Sequence, residues 1–365
     1  MSDVARLPVR GTVRRILVLR PRALGDVLLA TPALRALKHG FPAVALHVAV
    51  DDGLLPVLQR NPDIDRVWPL PRRLPRRRGA WWALARDLRR QHFDLVIDLH
   101  GSPRTALLAL FSGARNRVGY ALRGRGRLYN LRIARDSDRR GRRSLQYAAR
   151  VGLDIVARCG ATGPALADDS LVFVPDTAIA SRMARVVEQE LPTGPRVGLS
   201  PAGTWQAKTY PPSSWVELGD RLVAAGCRVL LLWGPGERTL ATEVQSRMSL
   251  PAVLAPATSV DELAGILARL DLLISNDSGV KHLGVACGTP TLTILGPTHP
   301  VAWVPPSGPH AWVRAGVPCA ACNLTQCLHH LCMHLLAAEE VARRALAYLG
   351  RSRTAFGVEV RPLPE

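Results

Sequence analysis

The sequence predicts an α/β protein built from two doubly wound domains. Short apolar runs alternate with amphipathic segments in both halves of the chain, a pattern typical of parallel sheets covered by helices on both faces. The chain has 365 residues, which suits two domains of about 100–200 residues each. Residues 160–176 are rich in Gly, Ala, Pro and Asp, and we interpret this segment as the linker between the domains.

The elements of the first half follow from apolar runs and turn residues. Strands are predicted over residues 15–20, 43–50 and 94–99, and helices over 26–38 and 81–90. In the second helix Trp81, Leu84, Ala85 and Leu88 share one face, which we expect to pack on the sheet rather than to touch a membrane. Arg72–Arg78 is predicted to be a loop because Pro69, Pro71 and Pro75 argue against regular structure.

The same alternation restarts after the linker. Strands are predicted over residues 196–200, 227–233, 271–275 and 290–295, and helices over 215–225, 237–248, 280–287 and 339–349. The domains are therefore placed at residues 1–170 and 171–349, with a tail at 350–365. Ligands of doubly wound sheets bind beyond the carboxyl ends of the strands, so a cleft between two facing domains is the expected site.

The composition excludes several classes of protein. A hydrophobic content of 47% argues against global disorder. No apolar run approaches the ~20 residues of a membrane span, and Ile16–Leu19 is too short for the core of a signal peptide. We expect a cytoplasmic protein. Neither a G-x-x-x-x-G-K-[ST] loop nor a G-x-G-x-x-G turn after the first strand is present, which disfavours ordinary P-loop NTPases and dinucleotide dehydrogenases.

The charge is concentrated in the first two fifths of the chain. Residues 1–143 hold 30 Lys/Arg and 11 Asp/Glu and account for the whole net charge of +19. Residues 71–143 alone hold 20 basic and 5 acidic groups, with Trp81 and Trp82 among them. One interpretation of this basic region is that it binds nucleic acid. Another is that it attracts anionic lipid and a phosphorylated glycolipid. A third is that it is a solvated arginine-rich surface.

Two loops carry candidate catalytic groups. Gly25 permits a tight turn, and Asp26 begins a helix whose amides favour the carboxylate form; Asp26 is either a general base or a helix cap. Gly203 and Thr204 lie in a loop of small residues after a strand. The backbone N–H groups of such a loop can bind phosphate. Lys208 follows as a point charge or as a solvated lysine.

Two further loops carry polar residues after strands. Glu237 suits a ribose hydroxyl or a helix cap. Several polar residues lie close together directly after an apolar strand, and packing alone does not explain them. They include Asp277, Ser278, Gly279 and His282, and we favour a ligand site here over a turn.

Together these loops resemble glycosyltransferase family 9, the ADP-heptose:lipopolysaccharide heptosyltransferases. The resemblance covers roughly residues 14–349. The matching stretches are RPRALGDVLLATPALRALK at 20–38, DLVIDLHG at 94–101, RNRVGY at 115–120, LSPAGTWQAKTYPPSSW at 199–215, SNDSGVKHLGVACGTPTLTILGPTHP at 275–300 and PCAACNLTQC…CM at 318–333. It implies the glycosyltransferase B fold, with two Rossmann-like domains facing across a cleft.

The resemblance also implies residue roles. Asp26 matches the base that activates the acceptor hydroxyl, and Lys208 the group that neutralises the departing nucleotide diphosphate without a metal. The remaining matches are donor contacts at Gly203, Thr204, Glu237, Asp277, Ser278, Gly279 and His282, and acceptor contacts at Arg20, Arg22 and Gly25. Members often have Ser or Thr where this chain has Pro21-Arg22-Ala23, and Asp-Thr-Gly where it has Asp-Ser-Gly.

The implied activity is inverting transfer of heptose from ADP-heptose to a lipopolysaccharide inner-core acceptor. A related transferase with another nucleotide sugar, or with another surface glycan or a protein as acceptor, is the first alternative. A non-catalytic nucleic-acid-binding protein is the second. With this resemblance, we expect the basic first domain to face an acidic glycolipid and the anionic surface of the inner membrane. The protein would then be peripheral to the cytoplasmic face of that membrane, and nucleic acid is not expected as a partner.

Four cysteines form a separate pattern near the C-terminus. Cys319, Cys322, Cys327 and Cys332 lie within 14 residues, and four thiolates are a ligand set for tetrahedral zinc. The spacing is shorter than in most two-knuckle zinc modules. A structural zinc site is therefore one hypothesis for this segment, and free thiols are the other.

Overall fold

The computed structural model describes residues 12–41, 43–71, 78–134 and 145–350. It divides into two compact units, Met1–Val174 and Pro175–Glu365, each built on a six-stranded parallel sheet. The predicted α/β class with two doubly wound sheets is confirmed. The tail at 351–365 and most of the predicted loop, residues 72–77, lie outside the described residues.

The sheet of the first unit has the strand order β3-β2-β1-β4-β5-β6. Its strands are β1 (Arg15–Leu19), β2 (Ala45–Asp51), β3 (Arg66–Leu70), β4 (Leu95–Asp98), β5 (Asn116–Tyr120) and β6 (Leu131–Ile133). Its helices are α1 (Leu24–Leu28), α2 (Thr31–Gly40), α3 (Leu55–Leu58), α4 (Arg78–Arg89), α5 (Pro103–Phe111) and α6 (Ala148–Arg158). The strand order reverses between β1 and β4, so the loops after these strands diverge at the switch point where such sheets bind ligands.

The second unit repeats this topology in the order β12-β11-β10-β7-β8-β9. Its strands are β7 (Arg196–Ser200), β8 (Arg228–Leu231), β9 (Val253–Leu254), β10 (Leu272–Asn276), β11 (Thr291–Ile294) and β12 (His310–Val313). Its helices are α7 (Thr177–Glu190), α8 (Pro212–Ala224), α9 (Arg238–Arg247), α10 (Val260–Leu267), α11 (Gly279–Ala286), α12 (Pro300–Trp303), α13 (Leu331–His334) and α14 (Ala338–Leu349). The switch point lies between β7 and β10.

The central strands are apolar on both faces because helices cover both sides of each sheet. In β1, the residues from Ile16 to Leu19 are all fully buried, as expected for a parallel sheet. Trp81, Leu84 and Leu88 of α4 pack in the same core, which confirms the predicted packing of this helical face on the sheet.

The loop prediction at the end of β3 was partly wrong. Pro69 lies within β3, in register with Val50 of β2, and Arg78 is the first residue of α4. Because β3 is the outermost strand of its sheet, the N–H that Pro69 lacks would not have been needed for pairing. Proline is tolerated in edge strands for this reason.

Each helix in the described part of the chain is too short or too polar to cross a lipid bilayer.

Candidate active site

A buried cluster of one carboxylate and two ammonium groups lies at the carboxyl edge of the second sheet. Asp277 directly follows β10 and is buried. Its Oδ2 lies 2.7 Å from Nζ of Lys208, and its Oδ1 lies 2.6 Å from Nζ of Lys281 on α11. The hydroxyl of Thr298 donates a hydrogen bond of 2.9 Å to Oδ2. Both carboxylate oxygens are therefore satisfied, and the cluster carries a net charge of +1.

Burial and neighbouring charge act in opposite directions on this cluster. Burial alone would raise the pKa of the Asp277 carboxyl, but the fields of Lys281 and Lys208 lower it well below its usual range. Burial lowers the pKa of Lys281, and contact with Asp277 opposes that shift. Lys281 is fully buried and also donates 2.8 Å to the carbonyl of Trp303. Asp277 is thus held as a carboxylate by its two lysine neighbours.

Lys208 is a buried group rather than a solvated one. It ends a one-turn 3-10 helix, Gln206–Lys208, and its residue is 7% exposed. Its ammonium lies 4.2 Å from the ring centroid of Trp205 and 5.2 Å from that of Trp303. These rings shield the Lys208–Asp277 pair from water, which strengthens the electrostatic attraction between them.

The amide of Asn276 fixes the loop that carries Lys208. Its Nδ2 donates to the carbonyl of Pro201 at 2.7 Å and to that of Ala202 at 3.2 Å, while its Oδ1 accepts from the backbone N–H of Tyr210 at 3.2 Å. Gly203 lies between these anchors, and a Cβ there would sit 3.2 Å from the Thr209 hydroxyl and 3.5 Å from the Lys208 backbone. Thr204 is exposed on the same loop.

Several buried polar atoms around α11 lack a hydrogen-bond partner within the described residues. They are Oγ of Ser275, Oγ of Ser278, Oγ1 of Thr293 and Nδ1 of His282. Ser278 is the N-cap residue of α11, and its side chain does not cap that helix. Burial, reinforced by Lys281, lowers the pKa of His282 far below its usual value, so its imidazole is neutral. Buried groups without partners carry a desolvation cost that a bound polar ligand can offset.

Glu237 is held by its own turn. Its Oε2 accepts from the backbone N–H of Gly234 at 2.8 Å, and it is the N-cap residue of α9. Because β8 is parallel to β7, Glu237 lies at the same edge of the sheet as Lys208. Its carboxylate closes this turn and makes no capping hydrogen bond to α9, so the helix-cap interpretation is not supported for the side chain.

In the first unit, Asp26 lies in the first turn of α1 after β1. Nη2 of Arg20 is 2.9 Å from Asp26 Oδ1, and Nη1 of Arg20 donates 2.5 Å to the carbonyl of Leu99 after β4. The other oxygen of Asp26 accepts a longer bond of 3.3 Å from the backbone N–H of Ala23. Asp26 is about one third exposed, so this carboxylate is oriented by Arg20 and still reaches solvent. Gly25 is buried beside it.

His100, Asp98 and Tyr129 extend this group of residues. Asp98 is buried and accepts hydrogen bonds from the backbone N–H groups of His100 and Gly101 and from the Tyr129 hydroxyl, at 2.9, 2.8 and 2.6 Å. The pKa of His100 is lowered by burial first and then by Arg20; Arg22 adds to this, while Asp98 and Asp26 oppose it. The structure therefore gathers Arg20, Asp26 and His100 at one switch point.

The zinc hypothesis for the four cysteines is not supported. Within the described residues no group of His, Cys, Asp and Glu is arranged to hold a metal ion. Cys332 is buried, whereas Cys319 and Cys322 are exposed, and Cys327 Sγ accepts a bond from the backbone N–H of His330. Burial and then the neighbouring thiols raise the pKa of Cys332 to about 11. The thiols are near one another, but they do not converge on one point.

Some site residues were missed by the sequence analysis. The matching stretches at 275–300 and 94–101 include Lys281, Thr298, Asn276 and His100, but no structural or electrostatic role was predicted for them. Lys281 had a usable signal, because it follows Asp277 by four residues and so shares its side of α11. Thr298 gave no such signal, because it comes from the loop after another strand.

The fold of the chain is the glycosyltransferase B fold. A glycosyltransferase family 9 structure from Veillonella parvula superposes with a TM-score of 0.79 at 21% identity, covering 93% of this chain and 98% of that one. The structure of ADP-heptose lps heptosyltransferase II from E. coli superposes with a TM-score of 0.73 at 21% identity, covering 92% of this chain and 98% of that one. These likenesses establish the class of fold, two Rossmann-like domains of the glycosyltransferase B type.

The family follows from the sequence comparison. The model of glycosyltransferase family 9 (heptosyltransferase) matches residues 81–332. A relative from Pseudomonas aeruginosa, lipopolysaccharide heptosyltransferase 1, is 26% identical in an alignment 333 residues long that covers 86% of this chain and 88% of the relative. The chain belongs to glycosyltransferase family 9 and is a glycosyltransferase, which confirms the resemblance seen in its motifs.

Proposed function

We propose that this protein transfers heptose from ADP-heptose to an acidic lipopolysaccharide inner-core acceptor, with inversion at the anomeric carbon. Membership of the family supports glycosyl transfer. The donor is supported by the structural likeness to an ADP-heptose enzyme of E. coli, and the glycolipid class of the acceptor by the relative that is a lipopolysaccharide heptosyltransferase. The observation that carries the proposal is the positively charged Lys208–Asp277–Lys281 cluster beside the unpartnered hydroxyl of Ser278.

The cluster suits a nucleotide diphosphate leaving group. Negative charge builds on the diphosphate as the glycosidic bond breaks, and pre-oriented cations and N–H groups stabilise it. Gly279 begins α11, so its N–H and those that follow form the positive end of a helix dipole. Ser278 Oγ and the Lys208 ammonium lie at this end. We assign donor contacts to these groups, to Asp277 and His282, and to Gly203, Thr204 and Glu237. Leaving-group stabilisation by them does not require a metal.

Lys208 changes partner when the donor binds. In the free protein its ammonium is held by Asp277, and the diphosphate competes for it with a larger charge. Lys281 has no such freedom because it is fully buried and bonded to the carbonyl of Trp303. Lys281 therefore keeps the Asp277 carboxylate paired while Lys208 turns to the diphosphate. Asp277 remains ionised and accepts hydroxyl hydrogen bonds from the sugar.

Asp26 is the general base. One of its oxygens is held by Arg20, and among the described residues the other accepts only the 3.3 Å bond from Ala23; a lone pair on it is therefore available to take the proton from the acceptor hydroxyl. The acceptor oxygen then forms the new bond to the anomeric carbon as the bond to the diphosphate breaks on the opposite face. Arg20, Arg22 and Gly25 contact the acceptor, and the guanidinium groups pair with its phosphates.

The two units divide the substrates between them. The first unit, placed at residues 1–170 in the sequence, receives the acceptor, since the whole net charge of +19 lies within residues 1–143 and inner-core glycolipid is polyanionic. The second, residues 171–349, holds the donor. The same charge attracts anionic lipid at the cytoplasmic face of the inner membrane, where the acceptor is presented.

The first experiment tests the donor. A panel of nucleotide sugars, with ADP-heptose among them, is screened for thermal stabilisation of the purified protein, and transfer is then measured with the best binder. ADP-heptose should stabilise the protein most. Stronger stabilisation and turnover with another nucleotide sugar would refute the donor assignment and establish the related-transferase alternative.

A second experiment tests the base. Asp26→Asn should lower the transfer rate by about 10²–10⁴-fold, the usual contribution of a general base, with donor stabilisation unchanged. Asp154→Asn is the matched control, because Asp154 is an exposed carboxylate of the same unit that accepts a hydrogen bond of 2.7 Å from the Gln146 side-chain amide. Transfer by Asp26→Asn at the rate of this control would remove Asp26 from the chemistry.

A further inference from the structure

The outer face of α5 is apolar, although it faces solvent. The helix buries Thr105, Ala106, Leu108 and Ala109. On its other side Leu107 and Leu110 are 40% and 37% exposed. A surface helix normally turns charged or polar residues outward, so these two leucines are not explained by the packing of the first unit.

Aromatic residues make this face continuous with the neighbouring helix α4. Phe111 follows Leu107 by one helical turn, and its ring centroid lies 5.1 Å from that of Trp82. Trp82 is 55% exposed, in contrast to the buried Trp81 beside it. We call Trp82, Leu107, Leu110 and Phe111 the Trp82 patch. Contiguous apolar patches of this kind mark interaction surfaces.

Arginines border the Trp82 patch. Arg86 and Arg89 follow Trp82 by four and seven residues and so lie on the same side of α4. The Arg86 side chain is 64% exposed, and the Arg89 side chain lies against Gly113, just beyond the end of α5. The one carboxylate on this helix is Asp87, 3.6 Å from Arg86 and 3.3 Å from Arg90. Three guanidinium groups against one carboxylate leave the border positive.

We propose that the Trp82 patch docks the protein on the surface of an anionic lipid bilayer. Tryptophan and leucine enter the interfacial region of a bilayer, and adjacent arginines pair with lipid phosphates. A second copy of the chain is a poorer occupant, since a symmetric contact would bring the two arginine borders together. The inference rests on the proposed lipid-linked acceptor, and the Trp82 patch belongs to the same unit as the proposed acceptor residues.

The test is flotation of the full chain with vesicles of phosphatidylcholine alone and of phosphatidylcholine mixed with phosphatidylglycerol. The wild type should bind the anionic vesicles more tightly. Leu107→Gln/Leu110→Gln should weaken that binding by about tenfold or more, and Arg86→Gln/Arg89→Gln by about 25-fold, or roughly fivefold for each charge. The matched control is Val186→Gln/Leu335→Gln, which replaces two exposed apolar residues of the second unit and should bind as the wild type does.

Two results with the leucine variant would overturn the docking proposal, and so would a third with the wild type. One is binding of the leucine variant to anionic vesicles at the wild-type level. The other is a lipid-free dimer of the wild type that this variant dissociates, which would assign the patch to a contact between copies. Thermal stabilisation by the nucleotide sugar is measured in every variant. If the nucleotide sugar stabilises the wild type but the wild type does not bind vesicles, only the docking surface is refuted. If the nucleotide sugar does not stabilise the wild type, the proposed transferase site is refuted.

Discussion

Asp277→Asn should destabilise the second unit strongly, because it leaves two ammonium groups without their shared counter-ion. Lys281 is fully buried and Lys208 nearly so, and each lies within 2.7 Å of an Asp277 oxygen. Removing one partner of a buried ion pair costs about 3–5 kcal/mol. At about 2–4 °C per kcal/mol for a unit of this size, the melting temperature should fall by roughly 6–20 °C.

The double variant Asp277→Asn/Lys281→Met separates charge from packing. Methionine fills the space of the lysine stem without the ammonium, and Lys208 keeps some access to solvent. The double variant should therefore recover part of the loss, with a coupling energy of about 1–3 kcal/mol between the two positions. Glu217→Gln is the surface control: its i,i+4 pair with Arg221 is about half exposed and should contribute under about 1 kcal/mol.

The assay is denaturation by urea, followed by tryptophan fluorescence, since Trp205 and Trp303 surround Lys208. The reasoning is refuted if Asp277→Asn costs no more than Glu217→Gln, or if the losses at Asp277 and Lys281 are simply additive. Either outcome would mean that the three groups are not coupled by charge in the folded protein.

The other predictions concern turnover, pH and metal. Lys208→Met should lower kcat by about 100-fold or more, as loss of a group that stabilises leaving-group charge does, and should raise KM for the donor; steady-state kinetics with unchanged constants would contradict it. Burial, and then Lys281, lower the pKa of His310 to about 4. The unfolded chain, with a histidine pKa of about 6.5, takes up that proton first, so stability should fall by up to about 1.4 kcal/mol per pH unit between those values as the pH drops. His310→Gln should flatten this slope in melting curves recorded across that range, and an identical slope would show that His310 does not contribute. Treatment with a chelator should leave the melting temperature and donor stabilisation unchanged, and a drop in either would restore the metal hypothesis for Cys319–Cys332.

The sequence predicted the parts of the fold whose signal is local. Strands such as β7 and β10 are apolar runs buried on both faces, and their positions were correct to within one or two residues. β5 and β12 were missed because their sequences, NRVGY and HAWV, contain polar or only half-buried residues. α5 was missed because leucines on both of its sides conceal the helical period.

The site was predicted as loops rather than as contacts. Because the strands are parallel, the loops after β7, β8 and β10 lie at one edge of the sheet. This placement can be predicted from the alternation of strands and helices along the sequence. The pairing of Lys208 with Asp277 joins residues 69 positions apart, and no motif encodes it. The role of Asn276 was also hidden, because a buried amide bonded to backbone carbonyls of a distant loop looks in sequence like any other turn residue.

Pro69 has a consequence for the behaviour of the protein in concentrated solution. The outermost strand of a sheet presents unpaired backbone groups on which a strand from another molecule can form, and this is a common start of aggregation. β3 is such a strand, and its apolar residues Trp68 and Leu70 suit further pairing. The proline ring between them takes away a donor at the open edge, and the neighbouring Arg66 adds a charge. The residue that obscured the strand in the sequence thus makes this edge a poorer template for a strand from another molecule.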